Sequence, residues 1–302
     1  MARRSRPRSV RQTLTRSASM SLERRTLLAG FAGAAALSPS LVLEAAAAAL
    51  QSSQSDAQAR AAEAHERLMQ VPGLRMHGDE EVAMLLYPGF TALDLVGPHY
   101  FFGSMMGAKV HLVTNQANLA PVASDLGLAI APTMTLADCP ADLSVLFCPG
   151  GTYGTIAAAS DRPTLDFLRD RAGKARCVAS VCTGSIILGA AGLLKGRKAT
   201  SHWVARDKLT HFGAIPTDQR VVRDGDVITG AGVSAGLDLG LAIVEIFRGR
   251  SYAEALMLQA EYSPEPPFAG GTPAKTDPAI AGPMRDMFSG FRDQIDQLGA
   301  PS

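Results

Sequence analysis

Residues 176–193 read Arg-Cys-Val-Ala-Ser-Val-Cys-Thr-Gly-Ser-Ile-Ile-Leu-Gly-Ala-Ala-Gly-Leu. Cys177 to Val181 is a short apolar run without alternation, the pattern of a parallel strand buried on both faces. Ser185 to Leu193 is rich in helix formers with closely spaced small residues. Cys182 falls at the join. A nucleophile on a sharp strand-to-helix turn is exposed at the top of a sheet, and Gly184 lets neighbouring backbone come close. At a helix N-terminus, partial positive charge and free N–H groups favour the thiolate, so this placement predicts a lowered thiol pKa. Against it stands the ordinary reading of a free cysteine as a small buried hydrophobe. The local pattern leaves both open.

Upstream, Glu81 to Tyr87 and Asp142 to Cys148 are further apolar runs of strand length, and Lys109 to Thr114 reads as a second strand. The spacing predicts a pair of short strands within Ala120 to Ala131. The first run ends at Pro88-Gly89 and leads through Leu93-Asp94-Leu95-Val96-Gly97-Pro98 into a helix ending near Met106. Asp94 is an acid among apolar residues at a strand-to-helix junction, where helix caps and active-site carboxylates both occur. Asp142 to Cys148 ends in Pro149-Gly150-Gly151-Thr152-Tyr153-Gly154. Glycines after a strand turn backbone N–H groups toward a ligand as an anion nest or oxyanion hole, and a plain tight turn uses them equally well. Arg162 to Lys174 reads as an amphipathic helix leading to the Cys182 strand.

Downstream, Lys198 to Ser201 reads as a short strand and His202-Trp203 as the opening of a helix to Phe212. His202 is placed to reach a pocket at the strand ends or to serve as a surface or capping residue. Arg220 to Arg223 and Val227 to Thr229 form a hairpin around Asp224-Gly225. Gly230 to Gly236 packs a helix, Leu237 to Phe247, closely against the sheet; its glycines are spaced somewhat like a phosphate loop but lack the full dinucleotide fingerprint. Tyr252 to Tyr262 is one more helix, stopped by Pro264-Glu-Pro-Pro267. Residues 269–302 read as a polar tail with a helix near Met284 to Leu298.

Strands alternating with helices, buried strands without a period and short connections predict an α/β fold with an open, mostly parallel sheet and helices on both faces. Ligands bind such sheets at the carboxyl ends of the strands, where Asp94, Gly150, Gly151 and Cys182 all fall. Their shared edge favours the functional reading of each.

The chain has 302 residues, 47% hydrophobic and 19% charged, which suits a globular protein with a substantial core. Of 29 basic and 28 acidic residues, eight and two lie in residues 1–50, leaving 21 against 26 in the remainder. A mildly acidic body argues against a nucleic-acid partner. Cys139, Cys148, Cys177 and Cys182 have neither CxxC spacing nor a Cys/His cluster, which argues against a zinc site or a disulfide framework.

The arginine-rich start continues into Glu23-Arg24-Arg25-Thr26-Leu27-Leu28 and a weakly apolar run, Ala29 to Leu37. This resembles a twin-arginine export signal, although Glu23 and Leu27 depart from its usual residues. The apolar run is short of the roughly 20 residues that span a bilayer, so no stable membrane anchor is expected. Ala45 to Ala49 offers small-residue cleavage sites. The competing reading is a basic arm, with translation starting at Met20 and the protein staying in the cytoplasm. The expected organisation is a signal segment over 1–50, a linker over 51–78 with a helix from Ala57 to Met69, a catalytic domain over 79–268 and a tail over 269–302, with the mature protein periplasmic.

From Glu81 to Pro273 the chain resembles the ThiJ/PfpI superfamily, whose fold is like the class I glutamine amidotransferase domain and flavodoxin, and within it the isonitrile hydratase branch. The resemblance rests on Leu93 to Pro98, Cys148-Pro-Gly-Gly-Thr152, Ser180-Val-Cys-Thr-Gly-Ser185, Thr200-Ser-His-Trp203 and Gln259 to Phe268. In the peptidase-like branch a histidine directly follows the nucleophile; Thr183 stands there, which argues against proteolysis. Many members carry Glu where this chain has Asp94, and the hydratases share the Asp. No helix-turn-helix follows residue 270, which argues against a transcription regulator.

What the resemblance implies is hydration of an isonitrile to an N-substituted formamide, with Cys182 as nucleophile and Asp94 as acid and base. Backbone N–H groups near Gly150, Gly151 and Thr183 would steady developing charge, and the Thr183 hydroxyl would orient substrate or water. Burial would raise the Asp94 pKa enough for it to donate near neutral pH. No metal or organic cofactor is called for, the partner is a small-molecule substrate, and a homodimer is expected. Two alternatives use the same residues: a glyoxalase-like thiol enzyme acting on reactive carbonyls, and a non-enzymatic sensor in which Cys182 is oxidised or a ligand is bound.

Overall fold

The computed structural model describes residues 39–299. The arginine pair and apolar run of the expected export signal lie outside the described residues, whereas the cleavage stretch Ala45 to Ala49 falls within helix α1 (Pro39–Met69). The chain divides into two compact units, one ending at His65 and one starting at Glu66. In the first, the linker expected from residue 51 is helical, because its alanine, glutamine and glutamate content favours the helix. No helix among the described residues is long and apolar enough to cross a membrane.

The second unit is built on a seven-stranded sheet. In chain order its elements are β1 (Glu81–Leu86), α2 (Ala92–Gly103), β2 (Lys109–Thr114), the short β3 (Val122–Ala123) and β4 (Ala129–Ile130), β5 (Met134–Thr135), β6 (Val145–Cys148), α3 (Tyr153–Ser160), α4 (Arg162–Ala172), β7 (Cys177–Val181) and α5 (Gly184–Ala190). There follow β8 (Lys198–Ala199), a 3-10 helix (Arg206–Phe212), β9 (Ile215–Pro216), β10 (Val221–Asp224), β11 (Val227–Gly230), α6 (Ala235–Arg248), α7 (Arg250–Gln259), α8 (Pro278–Met287) and α9 (Ser289–Leu298).

The sheet order is β10-β11-β7-β6-β1-β2-β5, parallel throughout except for the β10–β11 hairpin. β6 and β7 are buried at every position, as runs without a period require when helices cover both faces. α2, α6 and α7 pack together, and α3, α4 and α5 form a second group. α2 and α6 approach closely: a Cβ on Gly236 would lie 3.2 Å from the Pro98 ring, and one on Gly240 3.0 Å from Phe101. Gly236 and Gly240 therefore serve helix packing.

The elements differ from the expected ones at four points. α3 is an additional helix; the Ala157 to Ser160 run supplies the propensity, and Asp161 separates it from α4 by capping the latter, accepting from the Thr164 amide at 3.1 Å. β8 does not join the main sheet but pairs with β9, and the helix expected from His202 is a turn followed by a 3-10 helix from Arg206. Residues 269–299 are more than a polar tail with one helix: α8 and α9 both belong to the second unit, with Phe291 and Ile295 buried. Burying side chains of that size contributes roughly 1.5–3 kcal/mol each.

Candidate active site

The chain leaves β1 toward β2 on one side and β6 toward β7 on the other, so the loops after β1 and β6 part at the carboxyl edge of the sheet. Backbone bonds hold the two sides of this crevice in register: the Thr91 amide donates to Gly150 O at 2.8 Å, and Phe90 bridges Gly151. The Tyr87 hydroxyl donates to Pro149 O at 2.9 Å beneath them.

Cys182 sits at the end of β7 with φ of 58°, in the left-handed region that a side-chain-bearing residue occupies at a cost. The strain is held from both sides. Its amide donates to Gly230 O at 3.1 Å, and its carbonyl accepts from the Ser201 and Ser185 hydroxyls at 3.0 and 3.2 Å. This is the nucleophile elbow the sequence predicts, and Cys182, with an exposure of 5%, is among the residues lining a cavity of about 190 Å³.

Asp94 does not cap α2: it lies in the first turn, fully buried, with Oδ2 accepting from the Gly150 amide at 2.9 Å. Oδ1 is a buried acceptor without a hydrogen-bond partner, and the carboxyl lies within electrostatic reach of the Cys182 thiol. Burial pushes the carboxyl pKa up to about 7, the nearby Asp125 carboxylate adding to this while the Gly150 amide and the thiol oppose it. Burial also holds the Cys182 thiol well above its ordinary value, and Asp94 reinforces that; the Thr183 amide works the other way. The expectation of a lowered thiol pKa is thus overturned, because desolvation outweighs the N-terminus of a seven-residue helix.

The glycine pair has a different role from the oxyanion hole expected of it. The Gly150 amide is committed to Asp94 and the Gly151 amide to Thr183 Oγ1 at 3.0 Å. Thr183 Oγ1 donates in turn to Gly151 O at 2.5 Å and meets Thr155 Oγ1 at 2.9 Å, so its hydroxyl proton is held by the protein and not offered to substrate. These groups position the acid and the thiol.

His202 lines the same cavity, its ring 5.8 Å from Trp203 and 6.2 Å from Phe288 between centroids. Burial, aided by Arg206, lowers its pKa to about 4, so the imidazole is neutral at physiological pH. Thr91, Asp125, Val204, Val233, Phe288 and Phe291 also line the cavity and were not singled out from the sequence. Phe288, Phe291, Ile295 and Leu298 follow helical spacing, a stripe that could have marked the end of the chain as a packed face.

Cys148 is fully buried with a raised pKa, and burial pushes Cys177 up to about 12, so neither competes as a nucleophile. All four cysteines are free thiols. No group of three or more potential metal ligands occurs among the described residues.

Comparison with known proteins bears on this geometry. The DJ-1/PfpI family profile matches residues 80–246. An isonitrile hydratase of Pseudomonas putida is 45% identical over 205 residues, 68% of this chain and 88% of that protein. Among solved structures, a THiJ/PfpI family protein from Pseudomonas syringae is 54% identical with a TM-score of 0.73, covering 76% of this chain and 93% of that one. Drosophila melanogaster DJ-1beta shares the fold at a TM-score of 0.56 and 22% identity, covering 62% of this chain.

Proposed function

Because this chain belongs to the DJ-1/PfpI family and joins a thiol to a carboxyl at the strand ends, we propose that it hydrates an isonitrile to an N-substituted formamide, a hydro-lyase reaction. The observation that carries the proposal is the Asp94–Cys182 pair, supported by the name and the extent of the Pseudomonas putida relative.

The pair acts as one titrating unit. Its singly protonated form places the proton on sulfur or on Asp94, and the tautomer with a thiolate and a carboxylic acid is the reactive one. The thiolate forms a C–S bond to the terminal carbon of R–N≡C while that carbon's lone pair takes the Asp94 proton, giving the thioimidate R–N=CH–S. Asp94 itself does not line the cavity, but a carbon bonded to Sγ lies beside the group that Asp94 contacts. Ionised Asp94 then takes a proton from water as its oxygen adds to carbon, and passes that proton to nitrogen. Collapse breaks the C–S bond, forms the carbonyl and returns the hydroxyl proton to Asp94. The products are R–NH–CHO and the starting pair.

The test is purified protein with a small alkyl isonitrile, the formamide being followed by mass spectrometry against Cys182→Ala. Formamide formed at equal rates by both proteins would overturn the reading.

We further propose that the protein is exported by the twin-arginine-type segment to the periplasm and acts there as a homodimer. Glu23 to Leu28 supports export, and the family resemblance supports the dimer. Fractionation of cells producing the Arg24→Lys, Arg25→Lys variant tests the first, and sedimentation of the mature protein the second; an unchanged location or a monomer would refute them in turn.

A further inference from the structure

The mechanism uses the polar lining of the cavity and leaves the apolar lining unassigned. Thr91, Asp125, Cys182 and Thr183 give the lining polar and reactive groups, and Val204, Val233, Phe288 and Phe291 give it apolar ones. Phe288 and Phe291 come from the end of the chain, beyond the stretch that matches the family.

This part of the chain is held firmly. Phe291 is 2% exposed and Ile295 fully buried, and the Phe291 ring meets Tyr153 of α3 edge-on at 6.5 Å. Arg292 clasps Asp207 with two bonds of 2.9 and 2.7 Å and also donates to Val204 O, and Lys208 Nζ lies 2.6 Å from both Asp296 oxygens. Two ion pairs therefore tie α9 to the 3-10 helix, next to Val204. Phe288, half-buried at the α8–α9 junction, leans on the neutral His202 ring. A bulky apolar wall fixed at both ends is pre-organised, so it discriminates by shape without being reordered on binding.

We propose that Phe288 is the specificity-determining residue of the site, with Phe291 as its buried support, and that the two select isonitriles carrying a small apolar R group. The proposal rests on the isonitrile reading above. As the terminal carbon meets Sγ, the still linear R–N≡C group directs R away from the thiol, and the apolar wall is the surface suited to receive it. The cavity, about 190 Å³, is smaller than the pockets of roughly 300 Å³ and above that take drug-sized ligands. Compact alkyl groups fit, and extended aryl groups are turned away. Hydrophobic pockets separate substrates by about 10- to 200-fold per methylene-sized difference, which sets the scale of the effect.

The experiment compares wild type, Phe288→Ala and Phe288→Trp on isopropyl isonitrile and a naphthyl isonitrile. The ratio of kcat/KM, naphthyl over isopropyl, is expected to rise at least tenfold in Phe288→Ala and to fall in Phe288→Trp. Loss of folding would lower both substrates together and would not move the ratio in opposite directions. In parallel, labelling of Cys182 by iodoacetamide and by N-naphthylmaleimide, followed by peptide mass spectrometry, reads access past the wall without turnover. Both ratios unchanged in Phe288→Ala would overturn the proposal. Should wild type turn over no isonitrile, the isonitrile reading fails, and the labelling ratio still decides whether Phe288 gates the thiol by size.

Discussion

The amide of Gly150 donates to Oδ2 of Asp94 at 2.9 Å, fixing the carboxyl that in turn interacts with the Cys182 thiol. A loop after one strand thus holds an acid borne by the helix after its neighbour, and the acid faces a sulfur at the end of a third.

A methyl group at residue 150 has no room. Its Cβ would fall 2.7 Å from Asp94 Oδ2 and 2.6 Å from the Thr183 amide nitrogen, the latter a backbone atom. Gly150→Ala is expected to lower kcat/KM at least 100-fold, since misplacement of about 1 Å costs that much, and to lower the melting temperature. Near-normal turnover would show that the glycine is a turn residue and nothing more.

Removing the acid separates activity from stability. Asp94→Asn abolishes formamide production but stabilises the fold above neutral pH. The sign follows from a carboxyl whose folded pKa, about 7, lies above its ordinary 3.8. Between these values the folded state binds the extra proton, so stability falls as pH rises through that window, and the variant escapes the loss. At pH 8 the gain is expected on the order of 1–4 kcal/mol, declining toward zero at pH 4. Thermal melts at the two pH values check it; a variant less stable at pH 8 contradicts the burial of a costly charge.

The pH dependence of turnover follows from the same pair. Its first proton leaves at about 7, and the singly protonated form is the competent one. Wild-type kcat/KM is therefore expected to rise through pH 7 to a plateau, as the thiol's own pKa is far higher. A profile falling above pH 7 would mean that the doubly protonated pair is the active species.

At the far end of β1, Arg248 Nε donates to Glu80 Oε1 at 2.8 Å and Nη2 reaches Oε2, both residues being buried. Burial would raise the Glu80 pKa, but the hydrogen bonds and charge of Arg248 outweigh it and hold the carboxylate below 4.5. The stability it contributes is present above that value and lost as pH falls through the folded pKa. Glu80→Gln leaves a buried guanidinium unpaired and is expected to cost about 3–5 kcal/mol while sparing kcat at temperatures where the variant is folded. Denaturant unfolding measures this; a cost under about 1 kcal/mol would mean that Arg248 is satisfied by the Met76 and Met106 carbonyls alone.

The strands β1, β6 and β7 were legible in the sequence because aperiodic apolar runs four to six residues long have few other uses in a chain of this composition. The elbow at Cys182 was legible for a related reason: a buried strand that meets a glycine-bearing helix start must turn sharply. These features are local, set by neighbours along the chain. What only the tertiary structure decided is long-range. The order β7-β6-β1 brings residue 182 to residue 94, folding around both removes water, and desolvation then reverses the local forecast for the sulfur while bearing out the one for the carboxyl. The same holds for Phe288, whose helical spacing with Phe291 and Ile295 announces a buried face without naming what it covers, because the partner surface, the Cys182 cavity, exists only once the sheet has formed.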